Sequence, residues 1–402
     1  MVNQLKKFSV PITEIEQSFF CQTDEELKAK TLEEEFEAGV RWQKIPISYL
    51  KMSTEEIDTR ISQAKASLGS QVIILGHHYQ RNEVIKFADF QGDSFKLSQY
   101  AAGHREAEYI LFCGVHFMAE TADVLSAPNQ KVLLPNITAG CSMADMAHID
   151  DVLDCWDDLQ EVFGDDGSIV PVTYMNSTAA IKALCGRNNG VVCTSSNAEA
   201  AFKWSFEHSE RILFLPDQHL GRNTGLKFGI GLDDMIVWNP FKPLGGHTKE
   251  EISKAKIILW QGHCSVHTRF TLPQIEQARI KYPDVNVIVH PECKMEVVQA
   301  SDFNGSTEYI IDMVQKAPSG SVWAIGTEIS LVNRLSQQNP DKTVFCLDSV
   351  VCPCSTMYRI HPAYLLWMLD GLNSGVTLNQ IKVDHQTREE AKIALDRMLT
   401  LR

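Results

Sequence analysis

The sequence predicts an α/β fold: three similar αβα domains with short parallel sheets, in a pseudo-threefold arrangement around a central site, plus an N-terminal helical extension. Three observations carry this expectation. From Gln71 onward, short apolar runs alternate with helix-like segments, and near-continuous apolar strands of this kind mark a parallel sheet covered on both faces. The plan of strand, polar cluster and helix recurs three times. One cysteine then recurs just beyond the last strand of each copy.

Taken in order, residues 1–68 are rich in Glu, Lys, Gln and Leu, and TDEELKAKTLEEEFEAG and STEEIDTRISQAKASLG read as capped amphipathic helices ending at glycine. The first repeat, 69–167, opens with VIILGHHYQRNEVIKFADFQGDSFKLSQYAA: an apolar strand, a polar cluster opening a helix, then a Gly-Asp-Ser turn opening a second helix. The second, 168–285, follows the same plan in SIVPVTYMNSTAAIKALCGRNNGVVCTSSNAEAAFKW. The third, 286–402, does so in VNVIVHPECKMEVVQASDFNGSTEYIIDMVQ and adds a C-terminal helix. His77 to Ser94 and His290 to Thr307 both span 17 positions, and Tyr174 to Ser195 spans 21, with the extra residues around GRNNG.

Each copy continues through a strand (YILF, RILFLP, SVWAIG), a helix and a further strand (KVLLPN, KIILWQ, KTVFCL). Beyond these stand Cys141 in TAGCSM, Cys264 in QGHCSV and Cys354 in CPCSTM. Ser94 to Cys141 and Thr307 to Cys354 both span 47 positions; Ser195 to Cys264 spans 69, the excess lying in HLGRNTGLKFGIGLDDMIVWNPFKPLGGH.

Composition narrows the function. The 402 residues carry 37 Lys+Arg against 51 Asp+Glu, a net charge of −14, with no Lys/Arg-rich run. That balance argues against a nucleic acid or an anionic membrane surface as partner. No stretch approaches the roughly 18 consecutive apolar residues of a membrane span. The N-terminus has two early lysines but no apolar stretch of signal-peptide length. The expectation is a soluble, cytoplasmic protein whose 11 cysteines are free thiols, metal ligands or redox groups.

Ligands of α/β sheets bind outside the carboxyl ends of the strands, and His77, Tyr79, Tyr174, Asn176, His290 and Glu292 all sit where an apolar strand stops. Asp93-Ser94, Thr194-Ser195-Ser196 and Ser306-Thr307 each precede a helical pattern, where free N–H groups and the helix dipole favour carboxylate or phosphate oxygens. One such cluster alone would read as a helix cap. Three at equivalent places beside strand-end His, Tyr and Asn point to a polyanionic small substrate. Three equivalent cysteines cannot all pair in disulfides, and a structural zinc takes four protein ligands. Three thiolates without a fourth fit a cubane iron–sulfur cluster whose fourth iron lacks a protein ligand and can act as a Lewis acid. The alternative is a zinc-dependent enzyme using Cys264, His267 and Cys354.

The motifs GHHYQ, GDS, GVHFMAETA, AGCSMADM, VTYMNSTAAIKA, TSSNA, LPDQHLGR, WQGHCSVH, HPEC, GST and C-x-x-M together resemble the quinolinate synthases, iron–sulfur enzymes of de novo NAD biosynthesis, from about Gln71 to about Pro362. The resemblance implies a transferase that condenses iminosuccinate (iminoaspartate) with dihydroxyacetone phosphate to quinolinate, releasing phosphate and water. It also implies a [4Fe-4S] cluster on Cys141, Cys264 and Cys354, with the free iron facing substrate where the three domains meet. His77, Tyr79, Ser94, Tyr174, Asn176, Ser195, His290, Glu292 and Thr307 match the family's substrate-contacting positions. Glu292, flanked by His290, is assigned as acid/base, because a buried carboxylate near an imidazole can be tuned toward neutral pKa. Tyr79 and His77 are assigned to proton shuttling toward the triose, and Asn176, Ser195 and Thr307 to holding carboxylates or phosphate. A functional link to an L-aspartate oxidase or dehydrogenase follows from the substrate.

Cys352 lies two residues from Cys354 and rivals it; the 47-residue spacing and the C-x-x-M pattern favour Cys354. Cys21, Cys113, Cys155, Cys185, Cys193 and Cys346 read as small core residues, and Cys293 as packing or as a zinc donor with a histidine. His267, a helical turn beyond Cys264, reads equally as lining the site or as a structural histidine.

Overall fold

The computed structural model describes residues 30–37, 43–164, 166–350 and 352–401. The chain forms two compact units, one drawn from Met1–Cys141, Glu328–Arg334 and Ser349–Lys382, the other from Ser142–Thr327, Leu335–Asp348 and Val383–Arg402.

In the first unit, the helix Thr54–Leu68 begins where the Ser53 side chain accepts the Glu56 N–H and ends at Gly69, whose φ of 53° favours glycine. Both ends therefore lie where the sequence put them. Of the helix expected upstream, residues 30–37 are described: Lys30 and Thr31 are not helical, and the helix Leu32–Glu37 begins where the Thr31 hydroxyl accepts the Glu34 N–H. The buried stripe Ile57, Ile61, Ala64 and Leu68 follows helical periodicity, and the helix packs against Pro362–Asn373, with Arg60 bonded to Asp370 at 2.7 Å. The sheet comprises parallel strands β1 (Val72–His77), β2 (Phe90–Gly92), β3 (Tyr109–Cys113) and β4 (Lys131–Leu133) in the order β4-β3-β1-β2.

The second unit holds two sheets. Strands β5 (Ile169–Tyr174), β6 (Val191–Cys193), β7 (Arg211–Leu215), β8 (Met235–Trp238) and β9 (Ile257–Trp260) run parallel in the order β6-β5-β7-β9-β8. Strands β10 (Asn286–Val289), β11 (Phe303–Asn304), β12 (Val322–Gly326) and β13 (Thr343–Cys346) run parallel in the order β11-β10-β12-β13. In the first unit a late strand, β14 (Gln380–Ile381), adds antiparallel to the edge strand β4.

All three sheets share one order, the second strand of the repeat beside the first, then the third, then the next, with β9 in that last place in the middle repeat and its extra strand β8 added at the edge. This common topology is the structural counterpart of the repeated spacing. Every apolar run named above contains a strand. Strands β2, β6 and β11, two or three residues long, are too short to show a period and are not apparent in the sequence. Nor did it mark β8, an edge strand supplied by the excess segment of the middle repeat. Among the described residues, no helix is long and apolar enough to cross a membrane.

The C-terminal helix His385–Thr400 lies against Ala179–Arg187 in the second unit, and Gly186 faces Glu390 and Ile393 across that contact. A Cβ there would stand 1.8 Å from the Glu390 carbonyl oxygen. Backbone cannot yield as a side-chain tip does, so Gly186→Ala is expected to destabilise the chain by about 3 kcal/mol. Gly103→Ala, at a helix position with nothing within 4 Å of the added Cβ, is expected to be neutral or mildly stabilising. Urea unfolding of the two variants checks the contrast.

Candidate active site

In the second unit, the polar groups gather at the carboxyl ends of β5, β6 and β10. Strand β10 runs into His290, Pro291 and Glu292, and both titratable side chains are buried. Glu292 Oε2 lies 2.7 Å from His267 Nδ1 and 3.1 Å from His290 Nδ1, and the two imidazoles stack with centroids 4.5 Å apart. Beyond them, His267 Nε2 is 3.1 Å from Thr327 Oγ1 and His290 Nε2 is 3.2 Å from Ser195 Oγ. If both Nδ1 atoms carry the proton toward Glu292, each Nε2 accepts from a hydroxyl, and Thr327, His267, Glu292 Oε2, His290 and Ser195 form one network. Glu292 Oε1 and Asn176 Oδ1 are buried and have no hydrogen-bond partner. Such orphaned acceptors are expected where a ligand completes the bonding.

Burial opposes ionisation of Glu292, but the His267 and His290 imidazoles outweigh it and hold the carboxyl below the usual carboxylate range. This corrects the expectation of tuning toward neutrality: one flanking histidine was visible in sequence, whereas the fold brings a second. Glu292 is thus an ionised base. His267 is pushed down, first by burial, against the pull of Glu292. Asp217, also buried, is pushed well above the ordinary range by burial and then by the Glu292 charge.

Tyr174 ends β5 and is buried. Ser195 lies between β6 and the helix Ala198–His208, and borders a cavity of about 510 Å³ also lined by Asn197, Lys203, Asn223, Lys227 and Pro291. Asn223 Nδ2 fixes the turn after β10 by donating to the carbonyls of Pro291 and Cys293 at 2.8 and 2.9 Å. Thr307 is the first residue of the helix Thr307–Lys316, whose cap is its neighbour Ser306, accepting the Tyr309 N–H.

In the first unit, His77 ends β1 and its Nδ1 accepts the Tyr79 N–H at 3.1 Å, with the rings edge-on at 4.8 Å. Ser94 opens the helix Ser94–Gly103, but the cap is Asp93, which accepts the Lys96 N–H at 2.9 Å. Ser94 and Thr307 are therefore not the capping residues of their helices. Capping alone does not account for them.

Cys141 and Cys354 belong to the first unit and Cys264 to the second. All three are partly exposed, whereas Cys113, Cys155, Cys185, Cys193 and Cys293 are buried. Burial pushes the Cys113, Cys155, Cys185, Cys193 and Cys293 thiols up, and it pushes Cys354 up as well, so partial exposure and repeat position, not thiol acidity, set Cys354 apart. Cys346, expected in the core, is only half-buried on β13. Cys352 is disulfide-bonded, so it is not a free rival to Cys354. Cys21 lies outside the described residues. The donor set left is three partly exposed cysteines at equivalent repeat positions, which fits an all-thiolate iron–sulfur site.

Cys264, His267 and Glu292 also have ligand atoms within 4.8 Å of one another. However, His267 Nδ1 and Glu292 Oε2 are only 2.7 Å apart, nearer than the roughly 3.3 Å between neighbouring ligands of a tetrahedral zinc bound at about 2.0 Å. As arranged, they hydrogen-bond each other. Sequence reasoning did not single out Asp217 and Glu328. Their backbone contacts with Cys264 and Cys354 are 3.1 Å each, and burial pushes Glu328 up to about 7.

Residues 59–400 match the family described as "Quinolinate synthetase A protein". A quinolinate synthase of Corynebacterium glutamicum is 57% identical over 361 residues, covering 90% of this chain and 91% of that protein. Quinolinate synthases of Bacillus anthracis and Bacillus cereus are each 53% identical over 360 residues, covering 88% of this chain and 96% of theirs. With this match along nearly its whole length, the chain belongs to the quinolinate synthase family.

Proposed function

We propose that the chain condenses iminosuccinate with dihydroxyacetone phosphate to quinolinate, releasing phosphate and two waters, as a cytoplasmic transferase of de novo NAD biosynthesis. The observation that carries this reading is the buried Glu292, gripped by two imidazoles through Oε2 and left without a partner at Oε1. A reaction built on tautomerisation and dehydration needs such a base. Cys141, Cys264 and Cys354 would hold a [4Fe-4S] cluster, which supplies a Lewis-acidic iron to the dehydration chemistry.

The chain's own residues do the rest. Glu292 Oε1 accepts the proton removed from substrate carbon, and the His267 and His290 Nδ1–H groups stabilise the carboxylate between turnovers. His290 Nε2 accepts from the Ser195 hydroxyl and so fixes where that hydroxyl points. Asn176 Oδ1 accepts an N–H or O–H from substrate. Ser94, Ser195 and Thr307, at or just before helix starts, bind carboxylate and phosphate oxygens with the free N–H groups there. Tyr174 walls the end of β5. His77 and Tyr79 move protons to and from the triose. Iminosuccinate is the product expected of an L-aspartate oxidase or dehydrogenase, and we place this chain after one.

Anaerobically reconstituted full-length protein, given both substrates, is expected to form quinolinate; no product above the enzyme-free control would sink the reading. A second reading is a single-zinc enzyme: Cys264, His267 and Glu292 have ligand atoms within 4.8 Å of one another, although His267 and Glu292 would have to move apart to bind one ion. One tightly held zinc per chain and no sulfide would establish that instead.

A further inference from the structure

Two carboxyl groups occupy the same position in different repeats and make the same pair of contacts. Asp217 lies two residues beyond β7, and Glu328 two residues beyond β12. Both are buried, and each opens the helix that follows its strand. Asp217 Oδ1 accepts the N–H groups of His219 and Leu220, both at 2.8 Å. Glu328 Oε2 accepts the Ser330 N–H at 2.8 Å. In each case the other oxygen accepts a cysteine's main-chain N–H at 3.1 Å: Cys264 for Asp217 Oδ2, Cys354 for Glu328 Oε1. Glu328 Oε1 also accepts the Ser330 hydroxyl at 3.2 Å, so the contact that helix capping leaves unexplained in both is the one to the cysteine N–H. The first repeat has Val115 at this position, with no side-chain cap.

The Cys264 loop is fastened further to the same turn, since the Gln218 N–H donates to the Gly262 carbonyl at 3.0 Å. A Cβ on Gly262 would stand 2.3 Å from the Pro216 carbonyl oxygen, so the two stretches of backbone meet only because residue 262 is glycine.

Resting on the cluster reading above, we infer that Asp217 and Glu328 are positioning residues for Cys264 and Cys354: they orient each thiol and occupy the ligand's own N–H so that it cannot donate to cluster sulfur. Hydrogen bonds to cluster sulfurs stabilise the reduced, more negative state and raise the reduction potential. Withholding two of them keeps the potential low, which suits a cluster that serves as Lewis acid and is not meant to take up an electron. The repeat lacking the carboxyl leaves Cys141 governed differently.

Asp217→Asn and Glu328→Gln test this selectively. An amide keeps one acceptor oxygen, and asparagine caps helices as well as aspartate does, so the helix start survives. The amide NH2 cannot accept the cysteine N–H. The full chain and both variants are reconstituted anaerobically and assayed for iron and sulfide, cluster loss to a chelator, midpoint potential by dithionite titration, and thermal stability of the apo forms. Expected are wild-type apo stability, cluster loss at least about tenfold faster, and a potential shifted upward. Asp217→Glu and Glu328→Asp, which restore a carboxyl acceptor, are expected to return toward wild type. Wild-type potential and cluster lifetime in both amide variants would overturn the inference, as would a change confined to apo stability. A wild-type chain that binds no iron or sulfide would instead overturn the cluster reading itself.

Discussion

Cys354→Ala is expected to leave a chain that folds but retains no stable cluster, with quinolinate formation reduced by at least about a thousandfold. The same outcome is expected for Cys141→Ala and Cys264→Ala. Cys113→Ala and Cys346→Ala set the contrast: the first thiol is buried, the second half-buried on a strand, and neither stands at the repeat position. Both should keep about four iron and four sulfide per chain and most of the activity. Iron and sulfide assays on the five variants, prepared without oxygen, decide it. A Cys346→Ala protein as empty as Cys354→Ala would remove the argument from spacing.

Glu292→Gln is expected to lower kcat by about 10² to 10⁴ while iron content and substrate KM change little. The glutamine keeps the shape of the side chain but cannot serve as a base. It also leaves the His267 and His290 N–H groups facing an amide where they now meet Oε2 at 2.7 and 3.1 Å. Because those imidazoles hold the carboxyl below its usual range, Glu292 is ionised at neutral pH. The acid limb of a pH–kcat profile should therefore report histidine, and a limb near the ordinary glutamate pKa would contradict the arrangement. His267→Asn, by removing one of the two imidazoles, should move that limb.

What could be read without coordinates follows physical rules. Long apolar strands announce themselves, so β1, β3, β5, β7, β9, β10 and β12 were visible, and equal spacing from Ser94 to Cys141 and Thr307 to Cys354 picked out equivalent cysteines among eleven. Two-residue strands such as β11 carry too few positions for a pattern. The Glu292 environment was hidden for another reason. Its second imidazole comes from His267, 25 residues earlier, and only the fold stacks that ring on His290. Nothing in C-x-x-H alone separates a buried partner from a surface residue. Asp217 and Glu328 did leave a trace: aligning the ends of RILFL and SVWAIG places an acid two residues beyond both. That trace gains meaning only when each carboxyl is seen to accept a cysteine N–H.

The central claim is a three-thiolate cluster whose remaining iron meets the substrate. Mössbauer spectroscopy of the full chain reconstituted with iron-57, recorded with and without a bound dicarboxylate analogue of iminosuccinate, tests it most directly. The account predicts about four iron per chain, one of which changes its parameters on binding while the other three do not. Four iron sites that all ignore the analogue, or a chain that takes up zinc and no iron, would contradict it.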